Sequence, residues 1–129
     1  NKIKNLFHLL RPSGTTPEGL CYQAIMDKVS VGSNDKDSYF LNFSDGMPMF
    51  SNDELSYYNE VAINHTKKMV GEIRKKNVKV LSYFVGDSDY GDNRYMGDFK
   101  KMYGKDAKFI DVNSVSALAK TMNKKFLEK

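Results

Sequence analysis

The spacing of apolar positions changes period along the chain, and each change marks an element. Ile3, Leu6, Phe7 and Leu10 recur at steps of three, one and three, which predicts a short helix over residues 1–10. Arg11-Pro12-Ser13-Gly14 ends it, because proline and glycine interrupt helices. Leu20, Cys21, Ala24, Ile25 and Val29 predict a second helix running to about Val31. Tyr39 to Phe43 reads as a buried strand that stops at Ser44-Asp45-Gly46. Leu55, Tyr58, Ala62, His65, Met69 and Ile73, at steps of three and four, predict a long amphipathic helix ending near Lys76. Val78 to Val85 is the strongest strand: β-branched, aromatic and almost continuously apolar, as a strand buried on both faces should be. Tyr95, Met96, Phe99, Met102 and Tyr103 form the apolar face of a short helix stopped by Gly104. Ala107 to Val112 is a third strand. Asn113 opens a last helix with Val115, Leu118, Ala119, Met122 and Phe126 inward.

The order is helix, helix, strand, helix, strand, helix, strand, helix, and such alternation predicts parallel strands joined by helical crossovers. The expected fold is α/β, a Rossmann-like three-layer sandwich with parallel strands. The 129 residues suit one domain over 1–129, with no internal repeat and no linker.

Local chemistry assigns the helix starts. With Thr15 as N-cap, Glu18 completes a capping box. With Thr16 as N-cap, Pro17 takes the first helical position. Ser51 and Glu54 form a second capping-box signature, which starts the long helix near Ser51. Lys67, Lys68, Arg74, Lys75 and Lys76 crowd the end of that helix, where the helix dipole favours cations, and read as a solvated helix end.

Composition changes this picture little. Hydrophobic residues at 40% and charged residues at 28% fit a soluble globular chain. The net charge of +4 comes from 20 basic and 16 acidic residues spread along the sequence, a poor basis for nucleic-acid binding. One cysteine, Cys21, excludes an internal disulfide, and its apolar helical face predicts a buried structural thiol. His65 lies on the apolar face of its helix and reads as a packed structural histidine. No apolar run reaches the roughly 18 residues of a membrane span, and no secretory leader is visible, so a cytoplasmic location is expected. The chain opens on Asn1 rather than methionine, which leads us to expect residues before it.

In a parallel sheet the carboxyl ends of the strands share one edge, and ligands of open α/β sheets bind there. Asp45, Asp87 and Asn113 follow the three predicted strands. The Thr15-Thr16 loop precedes a helix whose N-terminus lies at the same edge. A hydroxyl and a carboxylate converging there make a hard oxygen site suited to magnesium, manganese or calcium. Asp87-x-Asp89-x-Gly91 is not an EF-hand loop, because its glycine is fifth rather than sixth and its twelfth residue is Asp98 rather than glutamate. Neither Gly-x-Gly-x-x-Gly nor a P-loop motif occurs. The Gly14-Thr15-Thr16 loop keeps a Rossmann-like phosphate-binding enzyme open as an alternative.

Two stretches carry a family resemblance. Ser13-Gly14-Thr15-Thr16-Pro17-Glu18-Gly19-Leu20 resembles the second metal motif of von Willebrand factor A (VWA) domains, and Leu41-Asn42-Phe43-Ser44-Asp45-Gly46 resembles the third. Val78 to Gly86 is similar to that family's fifth strand, and Lys108 to Phe126 to its final strand and helix. The resemblance implies a metal-ion-dependent adhesion site (MIDAS) in which Thr16, with Thr15 as the alternative, and Asp45 are ligands of a divalent cation, most simply Mg2+. It implies a binding module rather than a catalyst: a protein partner supplies a carboxylate to the ion. Within the family the chain is most similar to the intracellular cobalt-chelatase T-subunit-like type, which implies an ATPase subunit as partner and no membrane or nucleic acid. The family's first motif, Asp-x-Ser-x-Ser, is absent, as are its first strands. The resemblance therefore implies a domain truncated at its N-terminus, with the edge of Tyr39 to Phe43 left open. A structural part of a larger assembly, with an inert vestigial site, is the remaining alternative.

Overall fold

A computed structural model describes residues 14–86 and 93–111. The elements in order are α1 (Glu18–Ala24), β1 (Tyr39–Ser44), β2 (Phe50–Ser51), β3 (Ser56–Tyr57), α2 (Asn59–Lys75), β4 (Lys79–Gly86), α3 (Asn93–Tyr103) and β5 (Ala107–Asp111). β1, β4 and β5 form a parallel sheet in the order β1-β4-β5. The fold is thus α/β and Rossmann-like, as the alternation predicts. The helices predicted at 1–10 and after Asn113 lie outside the described residues, as does the loop carrying Asp87, Asp89 and Asp92.

The register assigns each strand residue to a face. Phe40 pairs with Val80, Asn42 with Ser82 and Ser44 with Phe84, while Ser82 pairs in turn with Ala107 and Phe84 with Phe109. Period-two alternation places all of these on one side of the sheet. Val80, Phe84 and Ala107 join Tyr22, Ile63, Met69, Val70, Ile73, Phe99, Met102 and Tyr103 in the main core, so α1, α2 and α3 cover this face. On the other face Leu81, Tyr83 and Ile110 are buried in a smaller cluster with Tyr39 against it. β4, paired on both sides, is buried almost throughout.

β1 departs from the buried strand expected. Leu41 is 39% exposed and Phe43 47%. Among the described residues β1 pairs only with β4, so it is an edge strand, and its outer face lacks the cover β4 has.

Three helix expectations are corrected. α1 ends at Ala24 rather than near Val31; residues 25–28 form turns. The Nζ of Lys76 donates to the carbonyls of Met26 (2.5 Å) and Val29 (2.9 Å), supplying the partners that further helix would have provided. Pro17 is the N-cap itself and neither threonine hydroxyl caps the helix. Cys21 is exposed, not buried. The helix turns Glu18, Gly19 and Tyr22 inward in place of Leu20 and Cys21. The last correction concerns α2, which starts at Asn59 with Tyr58 as N-cap, seven residues later than the capping box at Ser51 implies. Instead, Asn52 Oδ1 accepts the backbone N–H groups of Glu54 (3.1 Å) and Leu55 (2.7 Å) and closes a turn. The turn joins β2 to β3, an antiparallel ribbon pairing Phe50 with Tyr57. An asparagine side chain that bonds its own backbone competes with helix. Leu55 and Tyr58 are exposed as a result, and the buried stripe of α2 is Ala62, Ile63, Thr66, Met69, Val70 and Ile73. The helix ends as its sequence suggests, with Asn77 at φ 58 in the left-handed conformation common after a helix.

Candidate functional site

The site is built where β1 ends. Ser44 is buried, and its Oγ donates to the carbonyl of Gly46 (3.1 Å) and accepts the Gly46 N–H (3.4 Å). This tight turn holds Asp45 at its apex, exposed to solvent. Pro48 is fully buried and anchors the loop that follows. The N–H of Met49 donates to the carbonyl of Thr16 (3.1 Å), tying that loop to the segment entering α1. The same carbonyl accepts the N–H of Glu18 (3.0 Å). Thr15 and Thr16 are both exposed. The structure therefore brings the loops of Thr16 and Asp45 together at the carboxyl edge of the sheet, where the sequence places them.

Glu18 is the surprise of this edge. It is only 4% exposed and is not part of a capping box. Tyr103 Oη donates to Glu18 Oε2 at 2.6 Å. Having spent its one hydrogen, Tyr103 Oη accepts from Tyr22 Oη (2.7 Å) and from Asn42 Nδ2 (3.0 Å). Asn42 and Ser44 also set their polar side chains beside the Glu18 carboxylate. Burial pushes the Glu18 carboxyl above the usual carboxylate range; the polar groups of Ser44, Tyr103 and Asn42 beside it pull against that rise, and the charge of Asp45 adds to it. Burial, then the Glu18 charge, raises both Tyr22 and Tyr103 above an ordinary phenol. Three elements, α1, β1 and the end of α3, are thus joined by one buried polar network.

A second knot holds the start of α1 against α2. A Cβ on Gly19 would stand 2.3 Å from Tyr57 Oη, 2.8 Å from Thr66 Oγ1 and 2.9 Å from His65 Nδ1. The absence of a side chain lets the backbone come that close. Tyr57 Oη lies 3.0 Å from His65 Nδ1 and 3.3 Å from the carbonyl of Ala62. Burial, and next the neighbouring Lys68, lowers the His65 pKa below that of a free imidazole, which agrees with a packed structural role.

The donors at this edge suit a hard cation in kind but not yet in number. Among the described residues no group of three or more His, Cys, Asp or Glu side chains is placed to hold a metal ion. Thr16 and Asp45 supply one hydroxyl and one carboxylate, and Glu18 is committed to Tyr103. Asp87 and Asn113 fall outside the described residues. Asp45 also lines a cleft of about 550 Å³ with Met47, Met49, Tyr58, Tyr95 and Asp98.

The sequence reading missed the Glu18 network, although two signals were present. Asn42 and Ser44 alternate with Leu41 and Phe43, which puts two polar side chains on the inward face of the strand beside Phe40. Glu18 and Tyr22 are four residues apart, hence on one helical face. Inward polar groups demand partners.

Comparison with known proteins finds no matching family model, no similar curated protein and no similar solved structure. Among the described residues no helix is long and apolar enough to cross a membrane.

Proposed function

We propose that this chain is a divalent-cation-dependent protein-interaction module of VWA type, with Thr16 and Asp45 as part of a MIDAS-like site. The observation that carries this reading is the exposed carboxylate of Asp45 at the end of β1, with the Thr16 segment fastened beside it through the Met49 N–H. The order β1-β4-β5 supports it too, because it leaves the outer edge of β1 without a strand among the described residues, where the resemblance implies a strand bearing further ligands. Oxygen donors of this kind favour Mg2+, with Mn2+ or Ca2+ as substitutes. The bound ion would present an open coordination position to a partner's carboxylate. The partner class that fits is a protein, and within the chelatase-like resemblance an ATPase subunit. Catalysis is not part of this reading.

Paramagnetic Mn2+ titration, followed by water-proton relaxation, tests the site without needing the partner. Asp45→Ala and Thr16→Ala should each weaken Mn2+ binding at least about tenfold, with Thr15→Ala as the control. Mn2+ binding that is the same in the native chain and in Asp45→Ala would remove Asp45 from the site. The absence of a three-ligand acidic group among the described residues favours a second reading, a structural component of a larger assembly with an inert site. It predicts no Mn2+ binding at all.

A further inference from the structure

The cleft beside Asp45 has a chemistry of its own. It lies among the loop after β1, the start of α2 and the face of α3 that carries Tyr95 and Asp98. Two carboxylates, Asp45 and Asp98, line it, and no lysine or arginine is among the described lining residues, although the chain as a whole carries +4. Its large side chains are unusually open: Met49 is 49% exposed, Tyr58 46% and Tyr95 38%. Lys101 Nζ holds Asp98 Oδ1 at 2.7 Å, which steadies the carboxylate on α3.

We propose that this cleft receives a basic side chain, arginine before lysine, from an extended segment of a partner protein. An apolar ligand would strip water from two carboxylates without replacing it, which is costly. An anion would be repelled. A guanidinium satisfies both demands, because it forms paired hydrogen bonds to a carboxylate and stacks on a tyrosine face. The methylene stem of the same side chain is covered by Met47 and Met49. The volume of about 550 Å³ exceeds one side chain and leaves room for the backbone that carries it. The inference shares Asp45 with the cation-site reading but does not require an ion, since Asp98, Tyr58 and Tyr95 line the cleft and are not part of the cation-site reading. If both hold, the partner brings a carboxylate to the ion and a basic residue to the cleft, and the two fix its orientation.

Fluorescence anisotropy with labelled hexa-arginine, hexa-lysine and hexa-glutamate, in low salt with excess EDTA, tests the cleft. Hexa-arginine should bind more tightly than hexa-lysine, and hexa-glutamate should not bind. Asp98→Asn and Tyr95→Ala should each weaken hexa-arginine binding at least about threefold, while Tyr95→Phe keeps the ring and most of the binding. Glu54→Gln, on the turn between β2 and β3, should change nothing. Circular dichroism on each variant separates lost binding from lost fold, and Tyr58→Ala replaces any variant that does not fold. The proposal is overturned if hexa-arginine does not bind, if Asp98→Asn and Tyr95→Ala bind it as the native chain does, or if binding disappears in EDTA. Failure of Mn2+ to bind the native chain would leave it standing.

Discussion

Glu18 and Asp45 place the same functional group at the same edge of the sheet, close enough for the charge of Asp45 to act on Glu18. Glu18 lies inside, accepts from Tyr103 and has the polar side chains of Asn42 and Ser44 beside it. Asp45 stands one residue beyond Ser44 and faces solvent. The inner carboxylate is buried and joins α1 to β1 and α3. The outer one is exposed and is placed to meet an ion or a cationic group. A carboxylate's type and position in the chain do not assign its role; the number of donors already aimed at it does.

The comparison can be broken most severely at Tyr103. Tyr103→Ala removes a fully buried ring packed 4.6 Å from Phe99 and takes from Glu18 its 2.6 Å hydrogen bond. A loss of about 3–5 kcal/mol is expected in urea unfolding; a loss below about 1 kcal/mol would mean that the network does not hold the helices to the sheet.

A subtler effect follows from Glu18 itself. Its folded pKa lies above the unfolded value, so the folded chain binds this proton more tightly. Its contribution to stability is then complete below the ordinary carboxylate range and is lost as pH rises through the raised folded pKa. Glu18→Gln is neutral at every pH and lacks this dependence. Relative to the native chain, the variant should gain stability as pH is raised from about 4 to 8. Parallel stability curves for the two proteins over that range would show that Glu18 is not held protonated by the fold.

The smallest effect is expected at the outer carboxylate. Asp45→Ala should change unfolding free energy by no more than about 0.5 kcal/mol while removing cation binding. A large destabilisation would place Asp45 in the structural class with Glu18 and undo the distinction between them.

How far these roles were legible differs between neighbouring segments. β4 and α3 are readable because their apolar periodicity is strong: β4 is buried almost throughout, and Phe99, Met102 and Tyr103 of α3 are buried, although Tyr95 of the same predicted face is exposed. β1 has a similar composition but lies at the edge of the sheet among the described residues, and edge or centre is a property of pairing, not of composition. Ser51-Asn52-Asp53-Glu54 carries a helix-start signature, yet the Asn52 side chain bonds the backbone first and a β-ribbon forms. Cys21 looked buried because its neighbours Leu20, Ala24 and Ile25 are apolar, but the bond between Glu18 and Tyr103 sets which side of that short helix faces the sheet.

What the sequence determined alone is the α/β alternation, the parallel strands and the placing of Asp45 and Thr16 at one edge, since these depend on local period and on chain direction. Only the tertiary structure decided that Glu18 is internal, that Asp45 is external and that an acidic, aromatic cleft opens beside it. Residues 18, 42 and 103 are far apart along the chain, and hydrogen-bond satisfaction in a buried site is settled between elements, after each has already formed.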